Sequence, residues 1–218
     1  MSRRFELVVF DWDGTICDST AAIAAAIQDA ADDVGLPRPS DERARHVIGL
    51  GLADALAYAL PELEARDQPR LLDAYRRHWT RRSTELTLFA GMRELLTELH
   101  ASGRQLAVAT GKSAAGLAHA LEEANLGRFF AATRCADQTE PKPHPAMLNE
   151  ITAALAVAPA RTVMIGDTSH DLRMAEAAGV ASIAVTYGAH PRVELERYRP
   201  IALAATVRDL AAVLRTDG

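Results

Sequence analysis

Short apolar runs alternate with helix-like segments from Leu88 onward, and this alternation limits what the chain can fold into. Four of the runs are predicted strands, and a last short strand and helix follow them. The runs are RQLAVATG, FFAATR, RTVMIGD and VASIAVTYG, and the last segment is IALAATVRDLAAVLR. Alternation of this kind predicts a parallel sheet that helices cover on both faces. The expected fold class is therefore α/β, with a doubly wound (Rossmann-like) parallel sheet.

One more strand-like run, Glu6 to Phe10, lies near the start, and a long helix-like stretch separates it from the others. Asp18 and Ser19 are candidate N-caps of the first helix in that stretch, and Gly35 would end it. The stretch has almost no strand-like alternation. We therefore expect an α/β core of residues 1–15 and 87–218, with residues 16–86 inserted as a small all-helical cap domain.

The net charge and the cysteine content limit which partners the protein can bind and in which cellular compartment it is expected. The formal net charge of -5 gives no electrostatic footprint for nucleic acid. Cys17 and Cys135 lie far apart and outside any CxxC pattern, so we expect reduced cysteines without a special role in a cytoplasmic protein. No apolar stretch approaches the ~18 residues that a membrane span needs. A monomer or a simple homodimer is the expected oligomeric state.

Polar side chains follow four of the predicted strands at the point where each strand ends. They are Asp11 and Asp13 after the first strand, Thr110 and Gly111 after the second, Lys142 beyond the third, and Asp167 and Asp171 after the fourth. In an open parallel sheet, ligands bind beyond the carboxyl ends of the strands. We therefore expect these seven residues to converge at one edge of the sheet.

The chemistry of these side chains indicates phosphoryl transfer. Three gathered carboxylates repel one another unless a cation holds them, and oxygen ligands favour magnesium. A hydroxyl, a lysine and backbone amides at helix starts form a cradle for a phosphate dianion. In this interpretation Asp11 attacks phosphorus, Asp13 acts as general acid and base, and Lys142 balances charge on the phosphoryl group.

The segments DWDGT, ATGKS, EPKPHP and MIGDTSHD resemble the four motifs of the haloacid dehalogenase-like hydrolases. Their order and spacing resemble the phosphoglycolate phosphatase-like branch, which has a helical cap inserted after the first motif. The resemblance implies Asp11 as nucleophile, Asp13 as acid and base, and Thr110 with Lys142 on phosphate. It also implies Mg²⁺ as cofactor, held by Asp11, by Asp167 and by the backbone carbonyl of Asp13. Asp171 matches an acidic position that orients the waters of the metal.

The retained second aspartate, Asp13, indicates hydrolysis of a phosphomonoester or phosphomutase action through the same aspartyl-phosphate intermediate. The four motifs do not separate these two reactions. A protein that binds a phosphorylated ligand without catalysis is the alternative from another class. Phosphoglycolate is the default substrate by resemblance, and sugar phosphates, nucleoside monophosphates and cofactor intermediates stay open. The cap would close over the site and select the substrate.

Two segments of the predicted cap have more than one interpretation. The stretch RHVIGLGL could offer amides to a substrate together with Arg45 or His46, or it could be a tight turn between helices. The basic run from Tyr75 to Arg82 is typical of a solvated helix face with a buried aromatic, and the alternative is a surface that attracts substrate.

Four core residues near the motifs are expected to have ordinary structural roles. TGKS lacks the earlier glycine of a phosphate-binding P-loop, because Leu106 stands there, so Lys112 is expected as a solvated residue at a helix start. His144 is expected to cap the helix that follows it. Ser169 and His170 are expected on the solvent side.

Overall fold

A sheet of six parallel strands forms the centre of the protein in a computed structural model that describes residues 4–216. The strands are β1 (Leu7–Phe10), β2 (Gln105–Thr110), β3 (Ala132–Cys135), β4 (Thr162–Gly166), β5 (Ala181–Val185) and β6 (Ala202–Ala204). Their order across the sheet is β3-β2-β1-β4-β5-β6. The predicted doubly wound α/β fold is confirmed.

Ten α-helices accompany the sheet in the described part of the chain. The first four follow β1: α1 (Thr20–Val34), α2 (Asp41–His46), α3 (Leu52–Ala59) and α4 (Gln68–Ser83). The others are α5 (Met92–Ala101), α6 (Ala114–Glu123), α7 (Ala146–Ala154), α8 (Ser169–Ala177), α9 (Arg192–Leu195) and α10 (Val207–Thr216). None of the helices described is long and apolar enough to cross a membrane.

Strand β1 lies in the middle of the sheet, where both of its faces are buried. Val8 and Phe10 pack into a hydrophobic cluster with α5 and α10, whereas Leu7 and Val9 pack into a second cluster with α7 and α8. A continuous apolar run is what a strand covered on both faces requires. The strand order reverses between β1 and β4, so the crevice beyond these two strands is the expected ligand position.

Helices α1 to α4, here called the cap helices, share a hydrophobic cluster that also includes Ala189 from the segment after β5. Helix α1 ends at Gly35, which adopts φ 76° and whose N–H bonds back to the last turn, as predicted. Arg82 of α4 forms an ion pair with Asp29 of α1, and Arg77 and His78 reach Asp33 of the same helix. The domain boundaries at residues 16 and 86 stay a prediction, which this separate cluster supports.

A loop of residues 47–51, here called the cap loop, separates α2 from α3. The sequence pattern is helix-like across this region, but Gly49 adopts φ 92° and Gly51 precedes α3 as its N-cap, so the helix is interrupted. The interruption matters because it brings the cap loop onto the carboxyl edge of the sheet, where Gly49 approaches Thr168.

Candidate active site

Three buried carboxylates meet at the crevice between β1 and β4. Asp11 follows β1, Asp167 follows β4, and Asp171 lies in the first turn of α8. One carboxylate oxygen of each lies within 4.8 Å of the other two. The strand order therefore explains the cluster, because the two neighbouring strands that carry Asp11 and Asp167 flank the point where the order reverses.

Lys142 is the cation of this cluster. Its Nζ lies 2.6 Å from Oδ1 of Asp11 and 2.6 Å from Oδ1 of Asp171, and its side chain is fully buried. Burial alone would lower the pKa of Lys142, but the attraction of Asp11 and Asp171 outweighs burial and raises it. The ammonium group therefore stays charged between the two carboxylates.

Asp171 is held from both sides. Its Oδ1 accepts from Lys142, and its Oδ2 accepts from the backbone N–H and the hydroxyl of Thr168 at 3.1 and 2.7 Å. Thr168 in turn accepts from the N–H of Asp171, which completes a capping box at the start of α8. Asp171 thus combines the helix-start position that its sequence indicates with a place beside Asp11 and Asp167.

Asp167 is oriented by two donors that the motifs did not single out. The hydroxyl of Thr15 donates to Oδ1 at 2.9 Å, and the N–H of Ala189 donates to Oδ2 at 2.7 Å. Glycines make these approaches possible, because a Cβ built on Gly14 or Gly188 would lie 2.1 or 2.2 Å from Oδ2 of Asp167. Gly14 also has φ 80°, a conformation that other residues rarely adopt.

Oδ2 of Asp11 is buried and has no hydrogen-bond partner among residues 4–216. Burial raises the pKa of Asp11 to about 7, although Lys142 opposes the rise. Burial and the charge of Asp11 raise the pKa of Asp167 well above its ordinary value. An unpartnered oxygen and carboxylates that resist ionisation are the signs of a site built around a cation.

A divalent cation with oxygen ligands fits this donor set. Two lysines, Lys142 and Lys112, contact carboxylates of the site. Four aspartates against two lysines leave a formal charge of -2 when all are ionised, and the three clustered carboxylates offer only oxygen atoms. Such a set suits Mg²⁺ better than zinc or copper.

Asp13 is held at both carboxylate oxygens. The hydroxyl of Ser19 donates to Oδ1 at 2.7 Å, and Nζ of Lys112 lies 3.0 Å from Oδ2. Ser19 does stand at the N-cap of α1, but its hydroxyl makes no capping hydrogen bond there. The expectation that Lys112 is a solvated helix-start residue is wrong, because its side chain is 13% exposed and turns back to Asp13.

Thr110 and Gly111 stand at the carboxyl end of β2, the strand beside β1. The Thr110 side chain is buried, and its Oγ1 accepts from the N–H of Lys112 at 3.2 Å. The cap loop covers Gly111 closely: a Cβ there would lie 2.4 Å from the carbonyl oxygen of Leu50 and 2.6 Å from that of Gly49. Glycine at position 111 is therefore needed for the cap loop to reach the sheet edge.

The two cap candidates, Arg45 and His46, line a cleft of about 910 Å³ between α2 and the segment after β5. Arg45 donates to Asp41 at 2.7 Å and to the hydroxyl of Thr20 at 3.1 Å. Gly188 also lines the cleft, and a Cβ built on it would lie 2.2 Å from Oδ2 of Asp167, so one residue of the lining lies next to the carboxylate cluster. Whether Arg45 or His46 contacts a substrate stays a prediction.

Three histidines join α2 to the core beside this cleft. The carbonyl oxygen of His46 accepts from Nε2 of His170 at 2.8 Å and from Nε2 of His190 at 3.0 Å. Burial lowers the pKa of His170 to about 4, and it lowers the pKa of His190 as well, so both rings are neutral. The expectation that Ser169 and His170 lie on the solvent side is wrong, because both are buried, and His170 contacts the last residue of α2.

His46, His190 and Glu194 could be mistaken for a second metal site, since their donor atoms lie within 4.8 Å of one another. The rings of His46 and His190 are stacked, 8° from parallel with centroids 4.8 Å apart. A metal ion binds an imidazole nitrogen near the plane of its ring, so stacked parallel rings are poorly placed to share one. Nδ1 of His190 already accepts from the N–H of Ser169 at 3.0 Å.

The basic run of α4 divides between two faces. Arg77, His78 and Arg82 pair with acidic residues of α1, as described above. The aromatic residues of the run, Tyr75 and Trp79, lie toward the core. The Trp79 ring centroid is 4.6 Å from Nζ of Lys112. Burial raises the pKa of the Tyr75 hydroxyl, and the nearby charge of Asp13 raises it further. This division follows the first interpretation of the run, a solvated basic face with an aromatic side chain turned inward.

The remaining expectations concern His144 and the cysteines. Nδ1 of His144 accepts from the N–H of Ala146 at 3.2 Å, which satisfies one donor of the first turn of α7. Cys17 and Cys135 are free and buried. Burial raises the pKa of Cys17 to about 12 and that of Cys135 to about 11, so neither is a reactive thiol.

Comparison with known proteins finds relatives that cover most of the chain. A relative from Dickeya dadantii, named "Probable phosphatase IndB", is 36% identical over 209 residues that cover 94% of this chain and 91% of that protein. A phosphoglycolate phosphatase from Aliivibrio fischeri is 30% identical over 223 residues, 98% of each chain.

Solved structures show the same fold. The crystal structure of a predicted phosphoglycolate phosphatase from Haemophilus somnus 129PT superposes with a TM-score of 0.86 at 24% identity, covering 98% of this chain and 99% of that one. The family model described as "Haloacid dehalogenase-like hydrolase" matches residues 8–185, which contain all four motifs. The resemblance in the sequence is thereby confirmed, and the chain belongs to the haloacid dehalogenase-like hydrolase family.

Proposed function

We propose that the protein is a magnesium-dependent phosphatase that hydrolyses a small phosphomonoester through an aspartyl-phosphate intermediate. The observation that carries the proposal is the different hydrogen bonding of the two carboxylate oxygens of Asp11. Lys142 fixes its Oδ1, while its Oδ2 is buried and without a partner among the residues described. A carboxylate that is oriented through one oxygen, and whose other oxygen makes no hydrogen bond, is arranged for attack on an electrophile.

Asp11, Asp167 and the backbone carbonyl of Asp13 are the proposed magnesium ligands. When bound, the ion would reduce the repulsion between carboxylate and phosphate and so support nucleophilic attack. Thr15 and the N–H of Ala189 hold Asp167 in place, and Lys142 compensates charge between Asp11 and Asp171. Thr110, Gly111 and Lys142 are the proposed phosphate contacts.

Proton transfer is assigned to Asp13. In the first half-reaction a carboxylate oxygen of Asp11 forms a bond to phosphorus, and the bond from phosphorus to the ester oxygen breaks. The carboxyl group of Asp13 gives its proton to that departing oxygen. In the second half-reaction the Asp13 carboxylate takes a proton from water as the water oxygen attacks the aspartyl phosphate, which releases inorganic phosphate and restores Asp11.

Phosphoglycolate is the first substrate to test, because the Aliivibrio fischeri relative is a phosphoglycolate phosphatase. The cleft beside Arg45 and His46 leaves room for larger phosphomonoesters, and its lining also includes Arg43 and Arg197. We expect these cations to favour anionic substrates. The free, buried cysteines suit a reducing compartment, and we place the activity in the cytoplasm.

The testing experiment measures phosphate release from a panel of phosphorylated metabolites, with Mg²⁺ and with excess chelator. We expect release that depends on Mg²⁺ and that Asp11→Asn lowers by at least ~10³-fold, because the nucleophile is lost. Asp13→Asn should lower it by about 10²–10⁴-fold, because proton transfer is lost.

Two results would change the proposal. More than a tenth of the activity retained by Asp11→Asn would remove the covalent mechanism. Isomer formation from a sugar phosphate without phosphate release would replace the hydrolase by a phosphomutase, in which the aspartyl phosphate returns its phosphoryl group to the substrate.

A further inference from the structure

Lys112 connects the predicted general acid and base to the cap helices. Its Nζ lies 3.0 Å from Oδ2 of Asp13, and the same nitrogen lies 4.6 Å from the centroid of the Trp79 ring on α4. An ammonium group over the face of an indole is attracted by the ring. One side chain of the core thus contacts a catalytic carboxylate and a cap helix at once.

Lysine is rare in this chain, and both lysines lie beside aspartates of the first motif. Only two of the 24 basic residues are lysines, Lys112 and Lys142, and the rest are arginines. Both lysines contact an aspartate of the first motif: Lys142 contacts Asp11 and Lys112 contacts Asp13. An ammonium group is a compact point charge, whereas a guanidinium is a wide planar fork. The chain therefore has its compact cations where buried or largely buried carboxylates must be contacted in a confined space.

Lys112 and Ser19 together fix the carboxylate of Asp13, one at each oxygen. A carboxylate oxygen has more than one lone pair, so Oδ2 can accept from the ammonium group and still present a lone pair to a substrate. The backbone of Lys112 is itself anchored, because its N–H donates to Oγ1 of Thr110. What remains free is the direction of the long side chain, and Trp79 lies where it limits that direction.

Trp79 depends on the cap for its place. It lies one helical turn from Tyr75 on α4, and the two rings are stacked at 3° with centroids 6.5 Å apart. Both residues pack against the hydrophobic cluster of the cap helices. The Trp79 ring is therefore carried by α4, and it reaches Lys112 only while α4 lies against the core.

We propose that Lys112 is a positioning residue that holds Asp13 in the orientation for proton transfer, and that its contact with Trp79 makes this orientation depend on a closed cap. This inference rests on the proposed phosphatase function. Lys112 keeps its own protons throughout, and the transferred proton moves between Asp13 and the leaving oxygen or water.

The test compares two substrates that differ in their need for an acid. An alkyl phosphate, the best substrate of the panel, needs a proton on its leaving oxygen, whereas 4-nitrophenyl phosphate releases a stable anion without one. In Lys112→Met, we expect kcat for the alkyl phosphate to fall. The fall should be at least about 10-fold greater than the fall in the rate constant for nitrophenol release in the first turnover. KM should change little for either substrate.

Three further variants separate positioning from a general effect. Lys112→Arg should restore part of the lost kcat, because charge returns without the compact geometry. Trp79→Leu should show the same selectivity for the alkyl phosphate with a smaller loss. Arg76→Met removes the same charge from the exposed face of α4, where Arg76 pairs with Asp73, and should leave both rates unchanged.

Equal losses on both substrates in Lys112→Met, or a rise in KM alone, would overturn the inference and make Lys112 a structural or substrate-binding residue. A selective loss in Lys112→Met that Trp79→Leu does not share would overturn the link to the cap. No phosphate release by the wild-type protein would overturn the proposed function itself, and the inference with it.

Discussion

The ammonium nitrogen of Lys142 lies 2.6 Å from Oδ1 of Asp11, and neither side chain reaches solvent. Removing one partner of a buried ion pair leaves the other charge uncompensated, which costs about 3–5 kcal/mol. Lys142→Met should therefore lower the free energy of unfolding at neutral pH by that order and also abolish phosphate release. Urea unfolding followed by circular dichroism measures the first effect.

The matched variant for this prediction is Lys142→Arg. It keeps the charge but places a planar fork between Asp11 and Asp171, so stability should recover more than turnover does. If Lys142→Met unfolds at the same urea concentration as the wild type, Asp11 and Asp171 are not held by this lysine in solution.

Thr15 should tune the affinity for Mg²⁺ through its 2.9 Å hydrogen bond to Asp167. Groups that orient metal ligands typically change metal affinity by about 10–100-fold when they are removed. We expect Thr15→Val to raise the Mg²⁺ concentration for half-maximal activity by that factor, with kcat at saturating Mg²⁺ changed less. Thr15→Ser keeps the hydroxyl and should stay close to the wild type. Equal Mg²⁺ dependence of all three proteins would contradict this role.

Gly111 should control the approach of the cap loop. A Cβ at this position would lie 2.4 Å from the carbonyl oxygen of Leu50, so Gly111→Ala must push the loop away. A displacement of this size at an active site costs about 10²-fold in rate, which steady-state kcat/KM would reveal. Gly127→Ala is the control, because its Cβ would meet nothing within 4 Å. Similar rates for the two variants would mean that turnover does not need this contact.

The raised pKa of Asp11, about 7 against an ordinary 3.8, makes stability without metal depend on pH. Between these values the folded protein binds more protons than the unfolded chain, so the free energy of unfolding falls as pH rises through the window. The raised pKa of Asp167 acts in the same direction. Bound Mg²⁺ favours the ionised carboxylates and should cancel the fall.

We therefore expect the rise in Tm that Mg²⁺ produces to be larger near pH 7.5 than near pH 5. Thermal unfolding with Mg²⁺ and with chelator, at both pH values, measures it. In Asp167→Asn, the rise in Tm that Mg²⁺ produces should differ less between the two pH values. A Mg²⁺ effect that does not grow with pH would show that the carboxylates are already ionised without the ion.

The sheet and the sheet-edge residues could be predicted because both follow from local pattern. Three of the four motifs come at the end of an apolar strand, and parallel strands bring their carboxyl ends to one edge. Asp11 and Asp167 needed no more than this to be placed together. The end of the first helix could also be predicted, because Gly35 marks it.

The contacts made by the cap helices could not be predicted in this way. Lys112 looks like a helix-start residue until α4 brings Trp79 over it, and His170 looks exposed until α2 brings the carbonyl of His46 to its ring. These partners are far apart in the sequence, and no period or spacing links them. The one local signal was the scarcity of lysine, which sets Lys112 and Lys142 apart from the arginines.

That scarcity gives the protein two built-in spectroscopic probes. Growth on lysine that carries ¹⁵N at Nζ labels both side chains without changing their size or charge. Among the side chains, the label would stand only on Lys112 and Lys142, one beside each aspartate of the first motif. Two NMR signals would then follow the proposed nucleophile and the proposed acid separately as Mg²⁺, phosphate or a substrate is added.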